Sequence, residues 1–307
     1  MHINEERIFS LPRSTFPMAG AAWMVLAAAL FAVMNGLVRA AADMGMHPFQ
    51  IGFLRSVVAL LVLSPFLLRA LSREGLSVLK TDLPFRHFSR SAGSTGGMLF
   101  FVFAIAQIPM AQATTITFSA PILITVGGAL LLGEVVRLRR WVAVTIGFLG
   151  VLIVIRPGAT EVGIGTLSAV AAAVSMTAAA LIAKSLTRSE PVLRIMIYTN
   201  LGMTLLTLPL ALWVWKPMTL EMWGIGCAIG GIAAISQTSV TRSFAAADAS
   251  MVMPFDYLRL PFVALIAYFA FGEVPDTFTW IGAAVIIGSA LYIAHRERVL
   301  AKRAAHT

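Results

Sequence analysis

The sequence predicts an all-α integral membrane protein in which ten transmembrane helices form two inverted five-helix repeats. Composition is the first of three observations behind this prediction: 59% of the 307 residues are hydrophobic, 12% are charged, and the mean hydropathy is +0.87. Soluble domains are about 45–50% apolar and about 25% charged, so this much apolar surface requires a bilayer. The other two observations are a series of ten apolar runs and an internal repeat.

The ten apolar runs lie between charged residues and prolines, and each is long enough to cross a hydrocarbon core of about 30 Å. They cover residues 18–42, 48–70, 88–107, 111–132, 138–155, 164–185, 192–214, 220–241, 250–271 and 277–294. The loops between them are mostly very short, so we expect no soluble domain inserted between spans.

The internal repeat is carried by a Gly-Glu-Val motif that occurs twice. Glu134 and Glu273 stand at the centre of the two copies, and each is followed seven residues later by a tryptophan, Trp141 or Trp280, and then by a glycine-containing apolar run. Five spans per repeat is an odd number, so the second copy must enter the membrane from the opposite face. The pattern predicts an inverted-topology repeat whose halves open a central site alternately to each side.

The repeat divides the chain into four segments. Residues 1–17 form a cytoplasmic tail, 18–156 the first repeat, 157–295 the second repeat and 296–307 a basic cytoplasmic tail. With the amino terminus inside, eighteen Lys and Arg residues lie on the cytoplasmic side and three on the outer side, as the positive-inside rule requires. We therefore expect both termini in the cytoplasm and anionic lipid headgroups against the basic face.

Two stretches carry a resemblance to a known family. APILITVGGALLLGEVVRLRRWVAVTIGFLGVLIVIRPG, from Ala120 to Gly158, and MPFDYLRLPFVALIAYFAFGEVPDTFTWIGAAVIIGSALYIAHRE, from Met253 to Glu297, resemble the ends of the paired EamA domains of the drug/metabolite transporter (DMT) superfamily, ten-helix bacterial type. The resemblance implies transport across a bacterial inner membrane. The family includes importers and exporters of amino acids, nucleobase-related compounds, riboflavin, S-adenosylmethionine and organic acids, so substrate and direction stay open.

Three charged residues lie well inside predicted spans. Arg55 is roughly 10 Å inside the outer boundary, and Arg259 is near the midplane with Asp256 three residues before it. Because a charge at such depth costs at least about 2.5 kcal/mol, each should face the bundle interior or a wet cavity. Arg55 either contacts an anionic group or braces a neighbouring helix. Asp256 and Arg259 form either a structural ion pair or one broken by substrate or a proton, which makes Asp256 the candidate for proton coupling.

Uncharged polar residues inside the spans are further candidates for substrate binding: Asn35, Thr117, Ser119, Tyr198, Asn200, Gln237 and Tyr257. Each could equally make an interhelical hydrogen bond. Pro121 in the fourth span and Pro254 and Pro261 in the ninth occupy neighbouring places in corresponding helices, and helices interrupted at matching places indicate a transporter's binding site. Glu134 and Glu273 are interpreted as structural turn residues that cap the following helices.

Together these features predict a secondary active transporter that moves a small organic metabolite by alternating access. Two interior arginines against one interior aspartate favour an anionic or zwitterionic solute, such as an amino acid, an organic acid or S-adenosylmethionine. A neutral aromatic metabolite such as riboflavin, stacked on Tyr or Phe, is the alternative.

A membrane-embedded enzyme is a more distant alternative. All five histidines fall outside the spans or at their edges, and the sequence contains no metal-binding motif. No cofactor or metal is expected, since Cys227 is the only cysteine and lies in an apolar run. No nucleic-acid partner is expected either, because the basic residues behind the net charge of +9 stand at the ends of apolar runs. The oligomeric state stays open.

Overall fold

The computed structural model of the chain describes residues 17–107, 116–134, 138–155, 163–271 and 277–304, and the regular structure in those ranges is helical. A 3-10 helix covers Gly75–Leu79. The eleven α-helices of the described ranges are α1 Pro17–Asp43, α2 Pro48–Glu74, α3 Pro84–Gln107, α4 Ala120–Leu132, α5 Leu138–Ile155, α6 Ile164–Leu186, α7 Val192–Trp213, α8 Leu220–Ala246, α9 Ala249–Asp256, α10 Arg259–Phe271 and α11 Thr277–Ala304.

Helix length and hydropathy fit a multi-pass membrane protein. Among the described residues, six stretches are long and apolar enough to cross a bilayer: Met18–Asp43, Pro48–Leu79, Ile164–Leu186, Val192–Trp213, Leu220–Ala246 and Met251–Ala270. Shorter apolar helices lie at Ala120–Leu132, Trp141–Gly150 and Trp280–Ser289. α3 is as long as these spans, but its first turns carry Arg86, His87 and Arg90, which lower its hydropathy. The count of ten spans remains a prediction.

The ends of α2 follow from local sequence. The His47 ring accepts a hydrogen bond from the Phe49 N–H, and the Gln50 side chain accepts one from the His47 N–H, both at 3.3 Å, so a capping box starts the helix. α2 continues through Pro65, because a membrane helix tolerates an interior proline. It ends at Gly75, where a φ of 64° is a left-handed conformation that glycine adopts without strain.

The most extensive helix–helix contacts join the first half of the chain to the second. α1 packs along α8, α3 along α6, α5 along α11, and α2 against both α7 and α8. Small residues permit the close approach: a Cβ at Gly97 of α3 would lie 2.8 Å from the Met176 side chain, and one at Gly230 of α8 would lie 2.4 Å from that of Val58. The two halves are therefore interleaved.

One buried apolar cluster closes one end of the bundle. It includes Met24 near the start of α1, Leu181 near the end of α6, Phe244 near the end of α8, and Val252 and Phe255 of α9. Under the predicted orientation this end faces the cytoplasm.

Candidate substrate site

The fourth and ninth spans are both interrupted, at corresponding positions. A turn at 118–119 separates the helical residues 116–117 from α4, and a turn at 257–258 separates α9 from α10. Pro121 and Pro261 follow these turns, and neither can donate the backbone hydrogen bond that would carry the helix across. The two turns have the same register relative to the two Gly-Glu-Val motifs, so the interruption is shared by both halves.

The turn between α9 and α10 brings two opposite charges together. Asp256 ends α9 and Arg259 begins α10. The Arg259 Nη2 donates to both carboxylate oxygens of Asp256, each at 2.5 Å. The Asp256 side chain is 13% exposed and the Arg259 side chain is 28% exposed, so the ion pair is only partly shielded.

The Arg259 guanidinium also lies over two aromatic rings. Its Cζ is 4.9 Å from the ring centroid of Phe31 in α1 and 5.7 Å from that of Phe118, within the range of cation–π contacts. The Arg259 Nε is buried and has no hydrogen-bond partner in the described residues. We refer to Phe31, Phe118, Asp256 and Arg259 as the Arg259 site. It combines an internally neutralised charge pair with aromatic faces and one donor that lacks an acceptor.

Exposure along α1 indicates that the Arg259 site borders an opening inside the bundle. Leu26 and Val33 are exposed and mark the lipid-facing side of α1. Asn35 is exposed as well, although at 3.6 residues per turn it lies about 180° around the helix from Leu26. Asn35 also stands one turn beyond Phe31 on the side that meets Arg259. It therefore lines a space within the bundle rather than the lipid.

Tyr257, a predicted substrate contact, is packed behind the Arg259 site. It is 0% exposed and lies in one buried cluster with Phe118, Val144 of α5 and Ile286 of α11, and its ring centroid is 6.2 Å from that of Phe118. A Cβ at Gly147 of α5 would come 2.5 Å from the Tyr257 Cδ2, so only glycine leaves room for the ring. The hydroxyl is buried without a hydrogen-bond partner in the described ranges. Tyr257 anchors the interrupted ninth span against α5 and α11.

Arg55 faces the bundle interior on α2. It is half-buried, and its neighbours contact helices on either side: Gly52 lies against Met98 of α3, and Leu54 lies against Gly226 of α8. Within the part of the chain that the structure describes, its guanidinium makes no hydrogen bond or ion pair. Arg55 is therefore an interior cation that a solute could contact, on a helix distinct from those of the Arg259 site.

The remaining described candidates have contacts away from the Arg259 site. The Ser119 Oγ donates to the Ile116 carbonyl at 2.6 Å, the Asn200 Nδ2 donates to the Met196 carbonyl at 2.9 Å, and the Tyr198 hydroxyl donates to the Leu79 carbonyl at 2.7 Å. Gln237 is half-buried in α8 and accepts a hydrogen bond from Thr241 at its backbone carbonyl. Thr117 also has an interaction, whereas Glu273 lies outside the described residues. None of these described contacts reaches the Arg259 site.

At the predicted cytoplasmic end, two buried charges hold the connection between α8 and α9. Lys184, near the end of α6, donates to the carbonyls of Phe244 at 2.6 Å and Ala247 at 2.5 Å. The Glu134 Oε1 accepts from the Ala249 N–H at 2.9 Å. Each charge therefore complements a helix dipole, Lys184 at the end of α8 and Glu134 at the start of α9. Glu134, predicted to cap the helix after it in sequence, thus caps a helix of the other half.

A second polar cluster ties the connection between α2 and α3 to α7. The Glu190 carboxylate accepts hydrogen bonds from Thr81 and Arg194, both at 2.6 Å, and the His87 ring is stacked on Tyr198 with centroids 4.6 Å apart. Burial, the largest single influence, would raise the pKa of Glu190, but the two hydrogen bonds and the charges of Arg194 and His87 together outweigh it and lower that pKa. Tyr198 therefore belongs to a polar network at the predicted cytoplasmic end.

Two important residues were not among the predicted site residues. Phe31 has a sequence signal, because it precedes the candidate Asn35 by four residues and so shares its helix face. Lys184 has none, because its partners Phe244 and Ala247 are 60 and 63 residues away along the chain. Contacts so distant in sequence follow only from the packing of whole helices.

Comparison with protein families adds a decisive observation. The model of the EamA-like transporter family matches residues 18–156 and, separately, residues 163–294. The chain belongs to this family. Its resemblance to EamA domains is thereby confirmed, and this EamA-like chain is a membrane-spanning protein of the DMT type.

Two relatives and one solved structure give further context for the EamA-like chain. A riboflavin transporter of Vibrio cholerae is 30% identical, with 94% of this chain and 96% of the relative covered. An S-adenosylmethionine uptake transporter of Rickettsia bellii is 29% identical, with coverages of 82% and 86%. A crystal structure at 22% identity superimposes with a TM-score of 0.75 over 95% of this chain and 99% of its own, which bears on the fold alone. Both named relatives are transporters of small metabolites.

Proposed function

We propose that this chain is a secondary active transporter that carries a small organic metabolite across the inner membrane by alternating access, with the Arg259 site as its substrate site. The matched interruption of the fourth and ninth spans, with the Asp256–Arg259 ion pair at the second one, carries this proposal. In transporters built from inverted repeats, interrupted helices at corresponding places hold the substrate. Ionisable residues inside a membrane bundle mark transport pathways for the same energetic reason, since their charge is costly elsewhere.

The proposal includes two inverted five-helix repeats, residues 18–156 and 157–295, with ten spans and both termini in the cytoplasm. The two separate matches of the family model support this division. The contacts between helices support it as well. If each helix is exchanged for its counterpart in the other half, the α1–α8 contact becomes the α6–α3 contact and the α2–α8 contact becomes the α7–α3 contact, and all four are extensive. Because the two sets of contacts are equivalent, a rocking motion of the halves could exchange one set for the other.

In the proposed cycle the described conformation is closed toward the cytoplasm. Lys184 and Glu134 clamp the connection between α8 and α9, and the buried cluster around Met24 and Phe244 fills the space behind it. Asn35, by contrast, is exposed one turn beyond Phe31 on the outer side. The substrate therefore enters or leaves the Arg259 site from outside in this conformation, and the contacts of Lys184 and Glu134 break when the site opens inward.

The Asp256–Arg259 pair bears on which solutes the site accepts. Because the two charges satisfy each other, Arg55 is left as an interior positive charge without a described hydrogen-bond acceptor, which favours an anionic or zwitterionic solute. Asp256 is the proposed coupling residue, since a proton on its carboxylate would weaken the hold on Arg259. A neutral aromatic metabolite such as riboflavin is the second candidate, supported by Phe31 and Phe118 beneath the guanidinium and by the riboflavin-transporting relative.

The test is uptake into proteoliposomes that contain the purified full-length chain, screened with amino acids, organic acids, nucleosides, riboflavin and S-adenosylmethionine. Compounds are first ranked by the rise in melting temperature that a bound ligand must cause. We expect at least one compound to be taken up above empty liposomes and Arg259→Ala to reduce that uptake at least about tenfold, a loss of roughly 1.4 kcal/mol. The exposed Arg69→Ala variant is the matched control. Uptake that is unaffected by Arg259→Ala removes this residue from the substrate site.

A further inference from the structure

From the contacts of Arg259 we infer that Phe31 and Phe118 select the substrate, and that the substrate is a planar heteroaromatic compound whose ring replaces the guanidinium on their faces. Arg259 then acts as a resident occupant of the aromatic subsite when no substrate is bound. The inference rests on the proposed function, because it concerns the same site.

Arg259 and the two aromatic rings that it contacts belong to different halves of the chain. Phe31 lies on α1 and Phe118 lies at the turn before α4, whereas Arg259 begins α10. The guanidinium contacts, at 4.9 and 5.7 Å from the two centroids, therefore bridge the halves. A guanidinium is planar and stacks on aromatic faces as a heterocyclic ring does, so the same faces can hold either group.

Arg259 can leave the rings with its ion pair intact. Its partner Asp256 is only three residues away across the same turn, so both side chains can shift as a unit. The Arg259 Nε is buried and has no hydrogen-bond partner in the described ranges. Leaving the rings thus breaks no hydrogen bond at Nε, and a carbonyl oxygen or ring nitrogen on the edge of the substrate could accept one from it. This favours a heteroaromatic ring over a plain hydrocarbon ring.

A small non-aromatic carboxylate fits the same contacts less well. It would have to compete with Asp256 for the Nη2 of Arg259, and it has no planar ring that could stack on Phe31 and Phe118. A heteroaromatic ring satisfies both the faces and the Nε. The exposed amide of Asn35, one turn along α1 from Phe31, is placed for the polar part of such a molecule.

The experiment measures binding of four probes to the purified full-length protein by equilibrium dialysis: riboflavin and adenosine as planar heteroaromatics, L-glutamate and citrate as non-aromatic anions. Phe31→Leu and Phe118→Leu remove a ring face but keep an apolar side chain. Phe66→Leu, at an exposed position on α2, is the matched control. Phe31→Tyr retains the aromatic ring, so it shows whether an effect of Phe31→Leu comes from the loss of the ring rather than from any change at this position.

We expect at least one heteroaromatic probe to bind, with affinity at least tenfold lower in Phe31→Leu and in Phe118→Leu and within twofold of wild type in Phe66→Leu and Phe31→Tyr.

Equal binding of the heteroaromatic probe to wild type and both leucine variants overturns the inference. Binding restricted to glutamate or citrate overturns it too, while the proposed transport of a small metabolite stands. The proposed function is tested separately: a probe that binds as expected but is not taken up by proteoliposomes contradicts transport and leaves the aromatic subsite in place.

Discussion

The end of the bundle that we propose is closed toward the cytoplasm, here called the cytoplasmic closure, and the Arg259 site both contain buried charged groups, but the partners of these groups differ. Lys184 donates to two carbonyl oxygens and Glu134 accepts from a backbone N–H, so each charge meets the end of a helix. In the Arg259 site the ion pair is partly exposed, and the buried Nε lacks an acceptor among the described residues.

This difference separates structural stability from function. A buried polar group without a partner costs free energy, and a protein retains one where a ligand or a motion satisfies it. Groups that are satisfied inside the protein gain nothing from a ligand. The same kind of substitution should therefore affect folding at the cytoplasmic closure and transport at the Arg259 site.

Lys184→Met should have the largest effect on stability. The change keeps most of the side-chain volume but removes the donor to Phe244 and Ala247, together with a positive charge that lies near the buried Glu134. We expect the free energy of unfolding in mixed micelles to fall by about 3 kcal/mol, as when one partner of a buried charge pair is removed. Lys80→Met, at an exposed position, should change it very little. An equal effect of the two substitutions would contradict the role of Lys184 in the closure.

Gly147→Ala should have the next largest effect, because it acts on the anchor of the interrupted ninth span. The added Cβ would come 2.5 Å from the Tyr257 ring, and overpacking of this kind costs about 1–3 kcal/mol. We expect a lower melting temperature and, since the turn at 257–258 carries Arg259, reduced transport. Gly288→Ala serves as the control because its Cβ would meet open space. Wild-type stability of Gly147→Ala would mean that the Tyr257 ring is not held rigidly.

Glu190→Gln should destabilise the second cytoplasmic cluster by about 1–2 kcal/mol at neutral pH, through the loss of charge-assisted hydrogen bonds from Thr81 and Arg194. The pKa of Glu190 is lowered on folding, so its contribution is complete above its ordinary pKa of 4.5 and is lost as pH falls through the lower folded value. Melting curves of wild type and variant should therefore converge in acid. Glu74→Gln, at an exposed position, should show no such convergence.

Arg259→Met should destabilise the protein less than Lys184→Met, because the Arg259 side chain is 28% exposed whereas Lys184 is buried. Its effect on transport should nevertheless be large. The unfolding free energy and the uptake by proteoliposomes should be measured for both Arg259→Met and Lys184→Met. Comparing the two variants tests whether the two regions differ in this way. If Arg259→Met destabilised the protein as much as Lys184→Met, the Asp256–Arg259 pair would be a structural element of the ninth span.

Much of the local organisation was predictable from the sequence because its causes are local. The prolines Pro121, Pro254 and Pro261 indicated interrupted helices. The structure has turns just before Pro121 and Pro261, whereas Pro254 lies inside α9 and does not interrupt it. The spacing of Asp256 and Arg259 indicated a charge pair on one face, and the two side chains do meet. The family followed from the motifs around Glu134 and Glu273, and the matching family model confirms it.

The assignment of polar residues to the site depended on contacts that have no local signal. Tyr198 and Tyr257 were both predicted substrate contacts, because each is an aromatic polar residue inside a span. In the structure, the Tyr198 hydroxyl donates a hydrogen bond to Leu79 in the 3-10 helix after α2, and the Tyr257 ring packs beside Gly147. Phe31 joined the site only because α1 packs beside α9 and α10. Which side of a helix faces a partner depends on every helix around it.

The sequence by itself determined that this chain is a helical membrane protein of a transporter family, where its helices are interrupted and which charges lie at depth, because hydropathy, proline geometry and the cost of burying charge act on neighbouring residues. Only the tertiary structure decided that Arg259 rests on Phe31 and Phe118 and that Glu134 and Lys184 hold the connection between α8 and α9. These contacts join residues far apart in the chain, so they exist only once whole helices have packed against one another.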